Sequence, residues 1–309
     1  MGWFFLIYIE LEDYLENDDE RRGFFSKKIQ AIKNKFLKLK IEKFENIVLI
    51  KIPNTEKSVL DKLAKYIKIK CITRVCLSKK LMNNFEFINF IENQKVKIFD
   101  GRWLFKYLIN DCIQYICSSK KENMQYQEIS FLINKLDRVG FFNILEIAPK
   151  VKVLNIITSN VKQFKRIENI LYEESGIVLN INNNYSKSLI KSDIIFNFDF
   201  SEEEFNKYEL PRKACIINLN QEVNIKSKSF EGINSNFYEI QMPVKYLKNI
   251  CLKDFFDEIL YESYIYKNTN PENIKRELKQ DNIRINFLIG KNERIRKNEY
   301  LKLSKKMVN

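Results

Sequence analysis

The rhythm of residues 151–219 is the feature that most constrains how this chain folds. Four short apolar runs, 151–157 (VKVLNII), 177–181 (IVLNI), 193–198 (DIIFNF) and 214–219 (ACIINL), alternate with stretches of helical spacing. Val161, Phe164, Ile167 and Leu171 share one helical face, and Gly176 stands where a helix terminus favours glycine. Ser201 and three following acids, Glu202 to Glu204, open a further helix, with negative charge where the helix dipole favours it. Strands alternating with helices in this way form βαβ units. Strands that read as continuous apolar runs belong to parallel sheets covered on both faces.

The same alternation runs upstream. A strand over 44–52 ends at Pro53, a helix follows over 55–66, and 67–76 (IKIKCITRVC) is a β-branched run. Ser78 caps a helix to about residue 92, and 95–99 is a short strand. Asp100-Gly101 then turns into a helix whose inner face holds Trp103, Leu104, Tyr107, Leu108, Cys112, Tyr115 and Ile116. A strand over 128–134 and a helix after Gly140 complete this part. Downstream, 246–264 is an amphipathic helix, and Ile283, Ile285, Phe287 and Ile289 alternate as one late strand.

Composition excludes several kinds of chemistry. The chain has 309 residues and no histidine, so Ser-His-Asp and Cys-His catalysis, histidine metal ligation and imidazole switching are all ruled out. The six cysteines include two C-x4-C pairs, Cys71/Cys76 and Cys112/Cys117, a spacing unlike zinc knuckles or C-x-x-C redox motifs. They read as free thiols, mostly buried, in a reducing cytoplasm. The apolar start, residues 3–9, is too short to span a bilayer and lacks a basic flank, so no export signal or transmembrane segment is expected.

The formal net charge is +13, which favours anionic partners. Lysines surround one apolar stripe, Phe25, Ile29, Ile32, Phe36 and Leu39, predicting a basic amphipathic helix over 25–40. Residues 291–309 read as a mobile basic tail. These two segments make nucleic acid one expected partner.

In a parallel sheet, ligands gather outside the carboxyl ends of the strands. That rule selects Thr158, Ser159 and Asn160, between a strand and a helix, as phosphate-binding candidates. Gly101 and Arg102 form a second anion-binding corner, beside a helix N-terminus that Asp100 caps. With the order of elements over 151–219, Asn182–Asn184 followed by Ser186 and Lys187, and the run 192–197 (SDIIFN), the segment resembles Rossmann-like nucleotide domains. The likeness is to the shikimate dehydrogenase and glutamyl-tRNA reductase kind. It implies NAD(P) as the cofactor, with Lys187 near a ribose phosphate. The G-x-G-x-x-G fingerprint is missing, since no glycine lies between 151 and 175.

The predicted architecture is therefore α/β, with mostly parallel sheets and flanking helices, a Rossmann-like C-terminal half, and a helical and basic C-terminal extension. The expected divisions are 1–43 (strand and basic helix), 44–150 (α/β), 151–245 (Rossmann-like) and 246–309 (extension and tail). The leading functional expectation is a cytoplasmic, non-catalytic scaffold for a protein partner or a small phosphorylated ligand. The alternatives are an NAD(P)-dependent oxidoreductase-like enzyme with an atypical phosphate loop, acting through Lys187 or Asp193, and a nucleic-acid-binding protein. No metal site is expected.

Overall fold

The computed structural model describes residues 6–12, 39–44, 47–241, 243, 252–291 and 293–304. The chain divides into two units, Met1–Gly101 with Met242–Pro271, and Arg102–Gln241 with Glu272–Asn309.

In the first unit, β-branched runs form strands β1 (Leu6–Leu11), β2 (Lys40–Phe44), β3 (Ile47–Ile52), β4 (Arg74–Leu77) and β5 (Lys97–Ile98). Their order is β2-β3-β1-β4-β5, with β2 antiparallel to β3 and the rest parallel. Residues 40–52 thus form two strands rather than the end of a helix and one strand. The alternating KIEKF of β2 suits a half-exposed edge strand, whose charged residues discourage further pairing. Residues 25–38 of the expected basic helix lie outside the described residues.

Helices α1 (Lys57–Ile69), α2 (Lys79–Met82) and α3 (Phe85–Asn93) cover this sheet. Val59, Leu63 and Ile67 of α1 and Phe87 and Ile91 of α3 pack with Ile9, Ile50, Val75 and Leu77 of the strands into one core. The expected strand over 67–76 is shortened at its start. The α1 face continues through buried Ile67, and the chain then turns at Cys71, whose φ is 51°. Cys71 is exposed, whereas Cys76, Cys112, Cys117 and Cys215 are buried. All five are free thiols, as expected.

In the second unit, helices α4 (Arg102–Tyr107) and α5 (Ile109–Lys120) lead to β6 (Glu128–Leu132). The chain then alternates: α6 (Arg138–Ile147), β7 (Val153–Ile157), α7 (Val161–Ser175), β8 (Asn180–Asn182), β9 (Ile194–Asn197), α8 (Glu202–Phe205), β10 (Cys215–Asn218) and β11 (Ile233–Ser235). Gly176 ends α7 in the left-handed region, at φ 66°. The six strands lie in the order β11-β10-β9-β6-β7-β8 and every pairing is parallel. Counted from β6 as first, this is the 3-2-1-4-5-6 order of the Rossmann fold. The α/β, Rossmann-like reading therefore holds.

The layer begins, however, at Glu128, one βα unit before residue 151. The expected division at 150/151 falls between β6 and β7, which pair residue for residue from Glu128↔Val153 to Leu132↔Ile157. Parallel neighbours joined by a crossover helix leave no local mark of their pairing.

Strand β12 (Phe237–Ile240) leaves the six-stranded sheet, and α9 (Asp257–Asn268) belongs to the first unit. The second unit closes with α10 (Ile274–Gln280), β13 (Ile285–Ile289), antiparallel to β12, and α11 (Lys297–Leu303). The described part of the expected mobile tail is thus docked. Tyr300 and Leu303 of α11 are buried, Tyr300 stacks edge-on against Tyr115 of α5, and Arg294 pairs with Glu239. Apolar residues three apart on one face outweigh the basic composition of this segment. No helix among the described residues is long and apolar enough to cross a membrane.

Candidate functional site

The strand order places the ligand crevice of such a sheet at the carboxyl ends of β6 and β9, where the winding reverses. A dinucleotide-binding sheet of this order places its phosphate loop at the turn from β6 into α6, here residues 133–137, while Thr158-Ser159-Asn160 follow the second strand of the layer. Aligned on G-x-G-x-x-G, Lys135 and Asp137 hold the first two glycine positions, and Gly140 alone remains at the third. A Cβ on Gly140 would come within 2.8 Å of Ile133 Cδ1, so its bare Cα allows α6 to approach the strand closely.

Three backbone donors of this loop and of the start of α6 already have anionic partners. Asp199, just beyond β9, reaches across the crevice with both carboxylate oxygens. Asn134 N–H donates to Oδ1 at 2.8 Å and Lys135 N–H to Oδ2 at 2.7 Å. Asp137 caps α6, and Gly140 N–H donates to its Oδ1 at 2.7 Å. Burial raises the Asp199 carboxyl above its usual range, and the two loop N–H groups pull the other way. Two carboxylates thus occupy the donors and the helix terminus that would cradle a pyrophosphate.

The neighbouring turn is engaged as well. Ser159 donates through both N–H and Oγ to Asn134 Oδ1, each at 2.8 Å. Thr158 is wholly buried, and Asn160 N–H donates to its Oγ1 at 3.0 Å. The end of this second strand is where a dinucleotide domain places the carboxylate that holds a ribose 2′-hydroxyl. Thr158 and Ser159 stand there instead. Lys187 is exposed in the turns after β8.

Further along the rim, strand-ending asparagines seal the layer. Asn197 Nδ2 donates to Asn218 Oδ1 at 3.2 Å. Asn218 Nδ2 in turn donates to Asn234 Oδ1 and Asn236 Oδ1, both at 2.8 Å. Asp193, at the opposite end of β9, accepts from Glu128 N–H at 3.0 Å and so is remote from the crevice.

The second expected corner repeats the pattern. Gly101 has φ 80°, as a sharp turn requires, but its N–H donates to the buried carboxylate of Glu262 at 2.7 Å. The Arg102 guanidinium donates to the Asn236 carbonyl at 3.4 Å and lies over the Phe237 ring. Within the second unit, Ser159 reaches the β6–α6 turn through Asn134, whereas Lys187 is exposed and Arg102 is held by the Asn236 carbonyl and the Phe237 ring. Sequence reading missed Asp137, Asp199 and the asparagine row. A signal for the row was present, because two strands end alike, in IIFN and CIIN, with Asp199 two residues beyond the first.

Of the concavities elsewhere, two differ in character. One, of about 300 Å³ in the second unit, is lined by Asp111, Glu146, Lys275, Lys279 and Arg284 among others. Burial pushes the Glu146 carboxyl up, but Lys275 and Lys150 outweigh it and hold it low, so Glu146 and Lys275 are already paired. The other, of about 680 Å³ in the first unit, is mainly apolar. Among the described residues, no cluster of three or more Cys, Asp and Glu side chains is arranged to hold a metal ion.

No protein-family model matches the chain, and no curated protein matches it. Several solved structures do. L-tryptophan dehydrogenase from Nostoc punctiforme is 10% identical, with 90% of this chain and 88% of that one covered at a TM-score of 0.33. Dipicolinate synthase A chain from Bacillus subtilis is 10% identical over 70% of this chain and 80% of that one, at 0.35. Shikimate 5-dehydrogenase from Listeria monocytogenes, in complex with shikimate and NAD, is 8% identical over 90% and 97%, at 0.30. The Rossmann-like fold rests on the chain's own strand order.

Proposed function

We propose that this protein is a non-catalytic Rossmann-like scaffold that works through protein interaction and does not use NAD(P). The observation that carries this is the filled phosphate loop. A dinucleotide would meet the Asp199 and Asp137 carboxylates where it needs bare N–H groups, and like charges at that separation repel strongly. The residues present do not fit the cofactor.

The interaction role draws on the surface around edge strand β8. Of the eleven large hydrophobic residues exposed among the described residues, Ile170, Tyr172, Val178, Tyr185 and Ile190 fall within 170–190. Apolar side chains gathered in one stretch, beside a strand with one unpaired edge, suit a protein partner.

Titration with NADH and NADPH, followed by nicotinamide fluorescence, tests the first half. No saturable enhancement is expected, and saturation at sub-millimolar concentration would overturn the reading. For the second half, the immobilised chain is expected to retain a host protein that the Val178→Lys/Ile190→Lys variant, with unchanged melting temperature, releases. Equal retention by both would defeat the β8 assignment.

A further inference from the structure

The larger cavity lies at the amino-terminal end of the first unit's parallel strands, the end opposite to the one where Rossmann-type sheets take their ligands. Leu6 and Ile7 open β1, Val48 is the second residue of β3, and Arg74 is the first of β4. At about 680 Å³ it falls within the size range of small-molecule sites. Its walls include Leu6, Ile7, Val48, Ile72 and Phe99, and among the described residues its charged lining is Lys43, Lys70, Arg74 and Lys267, with no carboxylate.

This lining departs from the rest of the same sheet, where Lys40 pairs with Glu12 and Lys51 with Glu42. Among the described residues, Lys43, Lys70 and Arg74 make no ion pair. The Arg74 guanidinium is held instead by aromatic faces, 4.2 Å from the Tyr266 ring centroid and 5.5 Å from that of Phe99. Such stacking orients the planar group while leaving N–H donors at its edge for a carboxylate. Lys43, Lys70 and Arg74, without counter-ions among the described residues and set beside an apolar wall, match a molecule with one anionic end and a hydrocarbon body.

We infer that this cavity binds an amphipathic organic anion, a carboxylate with an aliphatic body of medium length, with Lys43, Lys70 and Arg74 facing its head and Ile7, Val48 and Ile72 its chain. This site is independent of the β8 surface and of the sealed dinucleotide loop.

The probe is decanoate, measured by displacement of anilinonaphthalene sulfonate fluorescence from the full chain. Decyltrimethylammonium, of equal chain length and opposite charge, is the comparison. Decanoate is expected to displace the dye and the cation is not. Lys70→Gln and Arg74→Gln should each weaken decanoate, Arg74→Gln by about tenfold, the loss of about 1.4 kcal/mol. Ile72→Trp, which fills the cavity, should abolish binding.

Cys71 also lines the cavity and is exposed. Its alkylation by iodoacetamide, followed on the Cys71 peptide by mass spectrometry, should slow at least several-fold in saturating decanoate. This second readout uses the unaltered protein. Equal displacement by both amphiphiles, or Cys71 alkylation that decanoate leaves unchanged, would overturn the inference. So would affinity unchanged in correctly folded Lys70→Gln and Ile72→Trp variants.

Discussion

The two sheets of this protein treat charge in opposite ways. At the carboxyl rim of the six-stranded sheet, backbone N–H groups that would receive an anion are taken by Asp137 and Asp199. At the amino end of the five-stranded sheet, Lys43, Lys70 and Arg74 face an apolar cavity with no carboxylate among its described lining residues. A carboxylate built into the chain costs no association entropy, so it outcompetes a free anion for the same donors. Side-chain cations without such an internal partner keep their capacity for a ligand. A fold's customary binding rim is therefore a weak guide to where this chain binds, and the pairing state of its donors is a better one.

The largest test of this contrast is Asp199→Ala. It strips two loop N–H groups of their partner in a half-buried setting, and about 2 to 3 kcal/mol of unfolding free energy should be lost in urea titrations. Lys70→Gln at the other sheet should leave stability nearly unchanged. Equal costs would erase the distinction. Asp137→Ala removes only a helix cap and should cost about 1 kcal/mol, read in the same titrations.

A smaller effect sharpens the account of the first unit. Burial, and then the neighbouring Asp254 carboxyl, push the Glu10 carboxyl up to about 7. Between its ordinary value and 7, the folded chain keeps the proton that the unfolded chain has released. Stability from this group is therefore present at low pH and declines as pH rises toward 7. Glu10→Gln should flatten that decline and stabilise the protein at pH 8 by about 0.5 kcal/mol, discounted for solvent screening. With no histidine in the chain, few other groups titrate in this window, so the comparison of the two pH profiles is direct. Smallest of all, Lys187→Ala should shift stability by less than about 0.5 kcal/mol, because the side chain is exposed. A larger change would place Lys187 in a contact of its own.

Local signals carried much of the architecture. Helix α7 runs from Val161 to Ser175 as its apolar face and Gly176 require, and Ser201 and Glu204 form the capping box that their spacing implies. Apolar runs such as IIFN and CIIN became buried parallel strands. These features depend on residues three or four apart, or on alternation within a strand, and sequence displays both.

What sequence by itself determined was the α/β class, the parallel character of the strands and the absence of histidine chemistry. Only tertiary structure decided that β6, not β7, is the first strand of the Rossmann order, because pairing across a crossover leaves no local trace. It also decided that Asp199, some 65 residues from Asn134, closes the loop, and that Lys43, Lys70 and Arg74 gather at one cavity. Each of these depends on which distant segments become neighbours, and that is settled by burying the whole sheet at once rather than by any one stretch of chain.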